Sequence, residues 1–186
     1  MNQHVSDMRL YNLADFLETL PRNAIRMEGW LTDLKAGDEY DESSCTTIER
    51  LNGLAKLNSD QTKVSLKAAP VKEIQECGYA ACAVGWACTM KENRRAGLKL
   101  VATSNAWDGR LDDDSMIGLQ PTYKGEEGYE AVAKFFGIDV DVVDYLFGAT
   151  AYSKYDPSPA KVARRIRKVV RRRAAGKQII PDSYDY

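Results

Sequence analysis

The chain has 186 residues, of which 44% are hydrophobic and 28% charged, with a formal net charge of −1. That length suits one domain with a sizeable core, and the balance excludes an intrinsically disordered chain. The small net charge hides an asymmetry: from Ser158 to Tyr186 nine Lys and Arg face only Asp182 and Asp185, a surplus of +7, so the remainder carries −8.

Leu10, Leu13, Ala14, Phe16, Leu17 and Leu20 recur at three- and four-residue spacings and predict a first helix over Asp7–Leu20, stopped by Pro21. Met27, Trp30, Leu31 and Leu34 predict a short second helix before Gly37. Asp38, Glu39, Asp41 and Glu42 read as an acidic solvated loop, Thr46–Leu57 as a further helix weakened by Gly53, and Asn58–Pro70 as a loop. The segment Tyr79–Asn93 is apolar on nearly every face, as a helix inside a core must be, and its small side chains let neighbouring backbones approach. Lys91, Glu92, Arg94 and Arg95 mark its exit to solvent, with Gly97 as its cap.

Leu98, Leu100 and Val101, and then Met116, Ile117 and Leu119, carry part of a period-two pattern that fits one small two-stranded ribbon. The three adjacent carboxylates Asp112–Asp114 between them read as a solvated turn rather than a metal site. Glu126–Phe136 predicts a helix ended by Gly137, and Asp139 can cap the next, which presents Val142, Val143, Leu146 and Phe147 inward before Gly148. Ser158 can cap the last helix, with Pro159 at its first position, and that helix runs to about Ala175. The expected fold is mainly α: one compact helical domain over residues 1–178 around a buried central helix at about 79–93, with a C-terminal tail at 179–186.

The longest apolar stretch, Tyr79–Cys88, is far below the about 20 residues of a membrane span. Met1–Leu10 lacks the apolar run of a secretory signal, so the expectation is a cytoplasmic protein with no membrane partner and with Cys45, Cys77, Cys82 and Cys88 as reduced thiols. The spacings from Cys77 to Cys82 and to Cys88 lack the two-residue gap of zinc knuckles, and His4 is the single histidine. Buried thiols acting as small hydrophobes are the expectation, with no metal and no cofactor; an all-thiolate site completed by Cys45 is the alternative. Cys77 is best placed for a nucleophile, at the start of the central helix, but has no convincing base. No pair of acids and no phosphate-binding glycine loop stands out, so no catalytic residue is assigned.

The charge points instead to the last helix. Lys161, Arg164, Arg165, Arg167, Lys168, Arg171, Arg172, Arg173 and Lys177 follow one another without an acid, while Val162, Ile166, Val169 and Val170 form a narrow apolar seam for docking. The binding site expected from this pattern is a basic ridge of Lys161, Arg164, Arg165, Lys168, Arg171, Arg172 and Arg173. Such a ridge suits a carboxylate-bearing protein surface or, as the alternative, the phosphate backbone of DNA or RNA. It is also compatible with a solvated face, or with internal pairing to the acidic remainder. Tyr123, Tyr129, Tyr145, Tyr152 and Tyr155 fall in predicted helices and loops, so a sheet-based RNA reader is not expected.

The string Cys77-Gly-Tyr-Ala-Ala-Cys-Ala-Val-Gly-Trp-Ala87, then Gly128–Ile138, Leu146–Gly148 and Ser158–Arg167, resembles small uncharacterised phage and bacterial proteins with a Cys-Gly-Thr-x-x-Cys-x-x-Gly-Trp-Ala pattern. The resemblance covers about residues 77–170 and departs at Tyr79, where the group tends to have Thr. It implies one helical domain of phage or mobile-element type and brings no activity with it. The expected function is therefore that of a non-enzymatic accessory protein binding a macromolecular partner, a host or phage protein first, with nonspecific nucleic-acid binding second. A cysteine-dependent enzyme or zinc protein is a distant third.

Overall fold

A computed structural model describes residues 2–25, 82–104, 116–148, 151–152 and 157–180, together with the short segments 32–33, 45–47, 63–65 and 79–80. The described residues are mainly helical. In chain order the elements are α1 (Gln3–Glu18), β1 (Thr32–Asp33), β2 (Cys45–Thr47), β3 (Lys63–Ser65), β4 (Tyr79–Ala80), α2 (Ala83–Thr89) and α3 (Lys91–Arg95). They continue with β5 (Lys99–Ser104), β6 (Met116–Tyr123), β7 (Glu126–Glu127), α4 (Gly128–Phe136), α5 (Val140–Phe147) and α6 (Pro159–Ala174).

The first helix begins one turn earlier than its apolar pattern implies, because the Asn2 side chain accepts from the His4 N–H at 3.0 Å and caps the start. Its inward face is Leu10, Leu13, Ala14 and Leu17. The expected short helix after Arg26 is corrected at Thr32–Asp33, which form β1, paired antiparallel with β4; the rest of that stretch lies outside the described residues. The strand Cys45–Thr47 takes Thr46 and Thr47, the first two residues of the expected helix over Thr46–Leu57, and Lys63–Ser65 form a strand within the expected loop. The acidic run Asp38–Glu42, the triplet Asp112–Asp114 and Cys77 lie outside the described residues.

The expected central helix is buried as its composition requires, but it is shorter and broken. Tyr79–Ala80 form β4, α2 starts at Ala83, and Met90 is extended (φ −64°, ψ 128°) between α2 and α3. Asn93 supports the break: its buried side-chain amide donates to the Ala87 carbonyl at 3.1 Å, which also accepts from the Met90 N–H at 3.3 Å. Every residue from Ala83 to Cys88 is buried, and the Trp86 indole N–H donates to the Ala24 carbonyl at 2.7 Å. The core therefore closes around Trp86, with Phe135, Phe136, Phe147, Leu10, Leu13, Leu17 and Leu98 fully buried. The rings of Phe135 and Phe136 meet edge to face, with centroids 5.0 Å apart.

The expected ribbon is present as β5 and β6, antiparallel with Leu100 opposite Pro121, and it is the centre of a larger sheet. The order is β2, β6, β5, β3, and β7 joins β6 through Lys124 and Gly125. Both turn residues have positive φ (48° and 85°), the pair of values that a two-residue hairpin matched to strand twist demands. Glu126 and Glu127, expected in a helix, are thus a strand, and α4 begins at Gly128. That helix ends where expected, with Gly137 left-handed at φ 61°. Tyr123, expected in a helix or loop, closes β6, buried edge-on against Phe135 with ring centroids 5.1 Å apart.

Candidate functional site

The last helix is built as its sequence implies. The Ser158 hydroxyl accepts from the Lys161 N–H at 3.3 Å, Pro159 opens the first turn, and Val162, Ala163, Ile166, Val169 and Val170 are buried. A helical period of 3.6 puts Lys161, Arg164, Lys168 and Arg171 on the stripe opposite that seam, and all four are exposed. They span about 15 Å of helix at 1.5 Å per residue. Lys177 is exposed beyond the helix end.

Of the other cations of the expected ridge, Arg165 and Arg173 are turned back into the body, and Arg172 folds onto the residues that follow its own helix. Arg165 lies with its guanidinium 3.8 Å from the Tyr152 ring centroid and 4.8 Å from that of Tyr145. It donates to the Tyr145 carbonyl at 3.0 Å and to the Ala151 carbonyl, while the Tyr152 hydroxyl donates to the Leu146 carbonyl at 2.9 Å. Burial pushes the Tyr152 phenol well above its ordinary range, and the pull of Arg165 offsets only part of that. Arg172 donates to the Gln178 carbonyl. Arg173 donates to the Ser6 hydroxyl at 2.8 Å and stands 3.5 Å from the Asp7 carboxylate. Arg165, Arg172 and Arg173 thus belong to the scaffold more than to the ridge.

Arg167 holds α1 to α6. Its guanidinium pairs with Asp15 at 2.6 Å and with both oxygens of Glu18, one of them at 2.9 Å. Hydrogen bonds from Arg167 hold the Glu18 carboxyl below its ordinary range, and the same bonds raise the already high basicity of Arg167. Glu18 also feels Arg164. The end of α1 therefore meets the middle of α6 and the start of α1 meets its end, so the two helices run antiparallel. Near that second junction the Ser6 hydroxyl donates to the Phe136 carbonyl and Arg9 donates to the Phe135 carbonyl at 2.5 Å, serving the last turn of α4.

Cys82 and Cys88 are buried in the core. Cys82, not Cys77, is the residue at the N-terminus of α2, and its sulfur accepts from the Gly85 N–H at 3.4 Å in the place of a capping hydroxyl. Burial pushes the Cys82 thiol up to about 11 and pushes Cys88 well above its ordinary value, which disfavours the thiolate that a nucleophile or metal ligand needs. Among the described residues no three His, Cys, Asp or Glu side chains come together as a metal site, and His4 is exposed. Cys45 lies in β2, opposite Gly118.

Sequence reasoning missed the Tyr145–Arg165–Tyr152 stack and the Arg167 clamp, since both depend on partners distant along the chain. It also passed over α1's outer face, where Val5, Met8 and Tyr11 are exposed. Their spacing of three was the available signal. Among the described residues no helix is long and apolar enough to cross a membrane. Comparison with protein-family profiles, curated proteins and solved structures finds no match to this chain.

Proposed function

We propose that this chain is a non-enzymatic accessory protein of phage or mobile-element type, which binds an acidic protein surface through Lys161, Arg164, Lys168 and Arg171. One observation carries the reading: these four cations stand exposed in a row on a helix on which Arg165, Arg167 and Arg173 are occupied by the body, and Pro159–Ala174 contains no acid to neutralise them. Arg167 supports a carboxylate partner over a phosphate, because α6 already takes Asp15 and Glu18 of α1 in this way. The resemblance around Cys77–Ala87 supports the phage-type setting, and with it a cytoplasmic location, that of the host if the gene is a phage's.

Sequence-nonspecific binding of DNA or RNA is the second reading, favoured by the same unneutralised row. The test combines two measurements on wild type and on the K161A/R164A/K168A/R171A variant. The first is affinity purification from host lysate with the captured proteins identified; the second is anisotropy titration with duplex DNA and RNA at low and high salt. The expected result is a specific protein captured by wild type and lost by the variant, with weak nucleic-acid binding. Tight, steeply salt-dependent nucleic-acid binding with no protein lost on substitution refutes the first reading in favour of the second.

A further inference from the structure

Among the described residues the exposed large hydrophobics are Val5, Met8, Tyr11 and Val140, and three of these four sit on α1 at a spacing of three. Single exposed apolar residues are ordinary on a protein surface. Here they occupy the half of α1 opposite Leu10, Leu13, Ala14 and Leu17, at exposures of 38% for Val5, 49% for Met8 and 37% for Tyr11.

Their position relative to the basic row follows from the ion pairs. Glu18 feels Arg164, Asp15 and Glu18 meet Arg167, and Ser6 and Asp7 meet Arg173. In that antiparallel register Arg171, one turn beyond Arg167, is level with Tyr11 and Met8, which lie between Asp15 and Asp7. The outer surface of the α1/α6 pair thus has an apolar strip on the first three turns of α1 beside a cationic strip along α6.

Resting on the reading of α6 as a site for an acidic protein, we infer that the α1/α6 face docks one amphipathic helix bearing Glu or Asp along one edge. Charge complementarity selects that occupant: the cationic strip takes carboxylates, and the neighbouring strip takes the apolar edge of the same helix. Met8 is unbranched and adapts to the side chains it meets, and Tyr11 supplies apolar area with a polar tip. Recognition of this kind is a helix laid in a shallow groove, read by residues three and four apart. Arg164, Lys168 and Arg171, at steps of four and three, match carboxylates placed at the same steps on the incoming helix.

The experiment uses the full chain and two labelled synthetic peptides of about 20 residues, about 30 Å when helical. Both have the same Glu and Leu content; in one, Leu recurs at three- and four-residue steps, and in the other the order is scrambled so that no apolar face forms. A duplex DNA of similar length is the third probe. The expected result by anisotropy is that the amphipathic peptide binds at least about tenfold tighter than its scrambled form. M8S/Y11S is expected to abolish that preference, and R164A/R171A to weaken both peptides. All four side chains are exposed, so these variants are expected to fold. Equal binding of both peptides, unchanged by M8S/Y11S, overturns the docking inference and leaves the acidic-protein reading standing. Binding of DNA without either peptide, or of none of the three probes, overturns both.

Discussion

Replacing Arg165 by Ala tests whether the arginines of the last helix divide into scaffold and surface as the geometry implies. The guanidinium is half-buried and donates to two carbonyls, Tyr145 at 3.0 Å and Ala151, between two rings at 3.8 and 4.8 Å. A hydrogen bond from a charged donor contributes about 1.5–3 kcal/mol, and a partly exposed cation over a ring about 0.5–1 kcal/mol. Taking the lower values, because water still reaches the group and the four contacts are not additive, gives a loss of about 2–4 kcal/mol for R165A. Against a total stability of about 5–15 kcal/mol this is large, and at a slope of about 2 kcal/mol/M it lowers the urea midpoint by about 1–2 M. R164A, which removes an exposed side chain on the same helix, is expected to lie within about 0.5 kcal/mol of wild type. R165K keeps the charge but lacks the planar fork that serves both carbonyls, so it falls between them. Urea denaturation followed by circular dichroism reads all three. If R165A and R164A unfold at the same denaturant concentration, the division is wrong.

Three further outcomes follow from the core. C82A removes the sulfur that accepts from Gly85 and leaves a small void, a loss of about 1–2 kcal/mol, whereas C82S restores an acceptor and lies closer to wild type; an alanine variant as stable as wild type would sink the capping role. W86F leaves the Ala24 carbonyl without the indole donor now 2.7 Å away and opens space in the closed core, costing about 2–4 kcal/mol by the same assay, and a loss below about 1 kcal/mol contradicts it. Cys82 is pushed up to about 11 from an ordinary value of 9.0. The unfolded chain releases that proton first as pH rises, so its contribution is fully present below pH 9 and is lost on the way to 11, at about 1.4 kcal/mol per pH unit. Denaturation midpoints across that range check the sign, since C82A should flatten the decline and midpoints independent of pH would refute it. Cys88 and Tyr152, both raised by burial, add to the decline of wild type.

The helices that carry their own instructions were legible in the residues. The 3.6-residue period placed α1, α4, α5 and α6, Gly137 stopped α4, and Ser158-Pro159 opened α6 with the cap geometry expected of them. The buried character of Ala83–Cys88 was also legible, because a segment apolar on every face has nowhere else to go. Strands of two or three residues were not, since Thr32–Asp33, Cys45–Thr47, Lys63–Ser65 and Tyr79–Ala80 are too short to show a period and exist only through their pairing partners. The break at Met90 was hidden for a related reason: the residue that supports it, Asn93, acts through side-chain hydrogen bonds to the Ala87 carbonyl and the Met90 sulfur.

The candidate site divides along the same line. Sequence alone determined that nine cations follow one another from Lys161 to Lys177 without an acid, and that an apolar seam docks the helix bearing most of them. Only the tertiary structure decided which of those cations remain available, because pairing depends on what the fold brings within reach. Tyr145 and Tyr152 take Arg165, Asp15 and Glu18 take Arg167, and Ser6 and Asp7 take Arg173. Lys161, Arg164, Lys168 and Arg171 stay at the surface because the helical period puts them on the stripe opposite the buried seam.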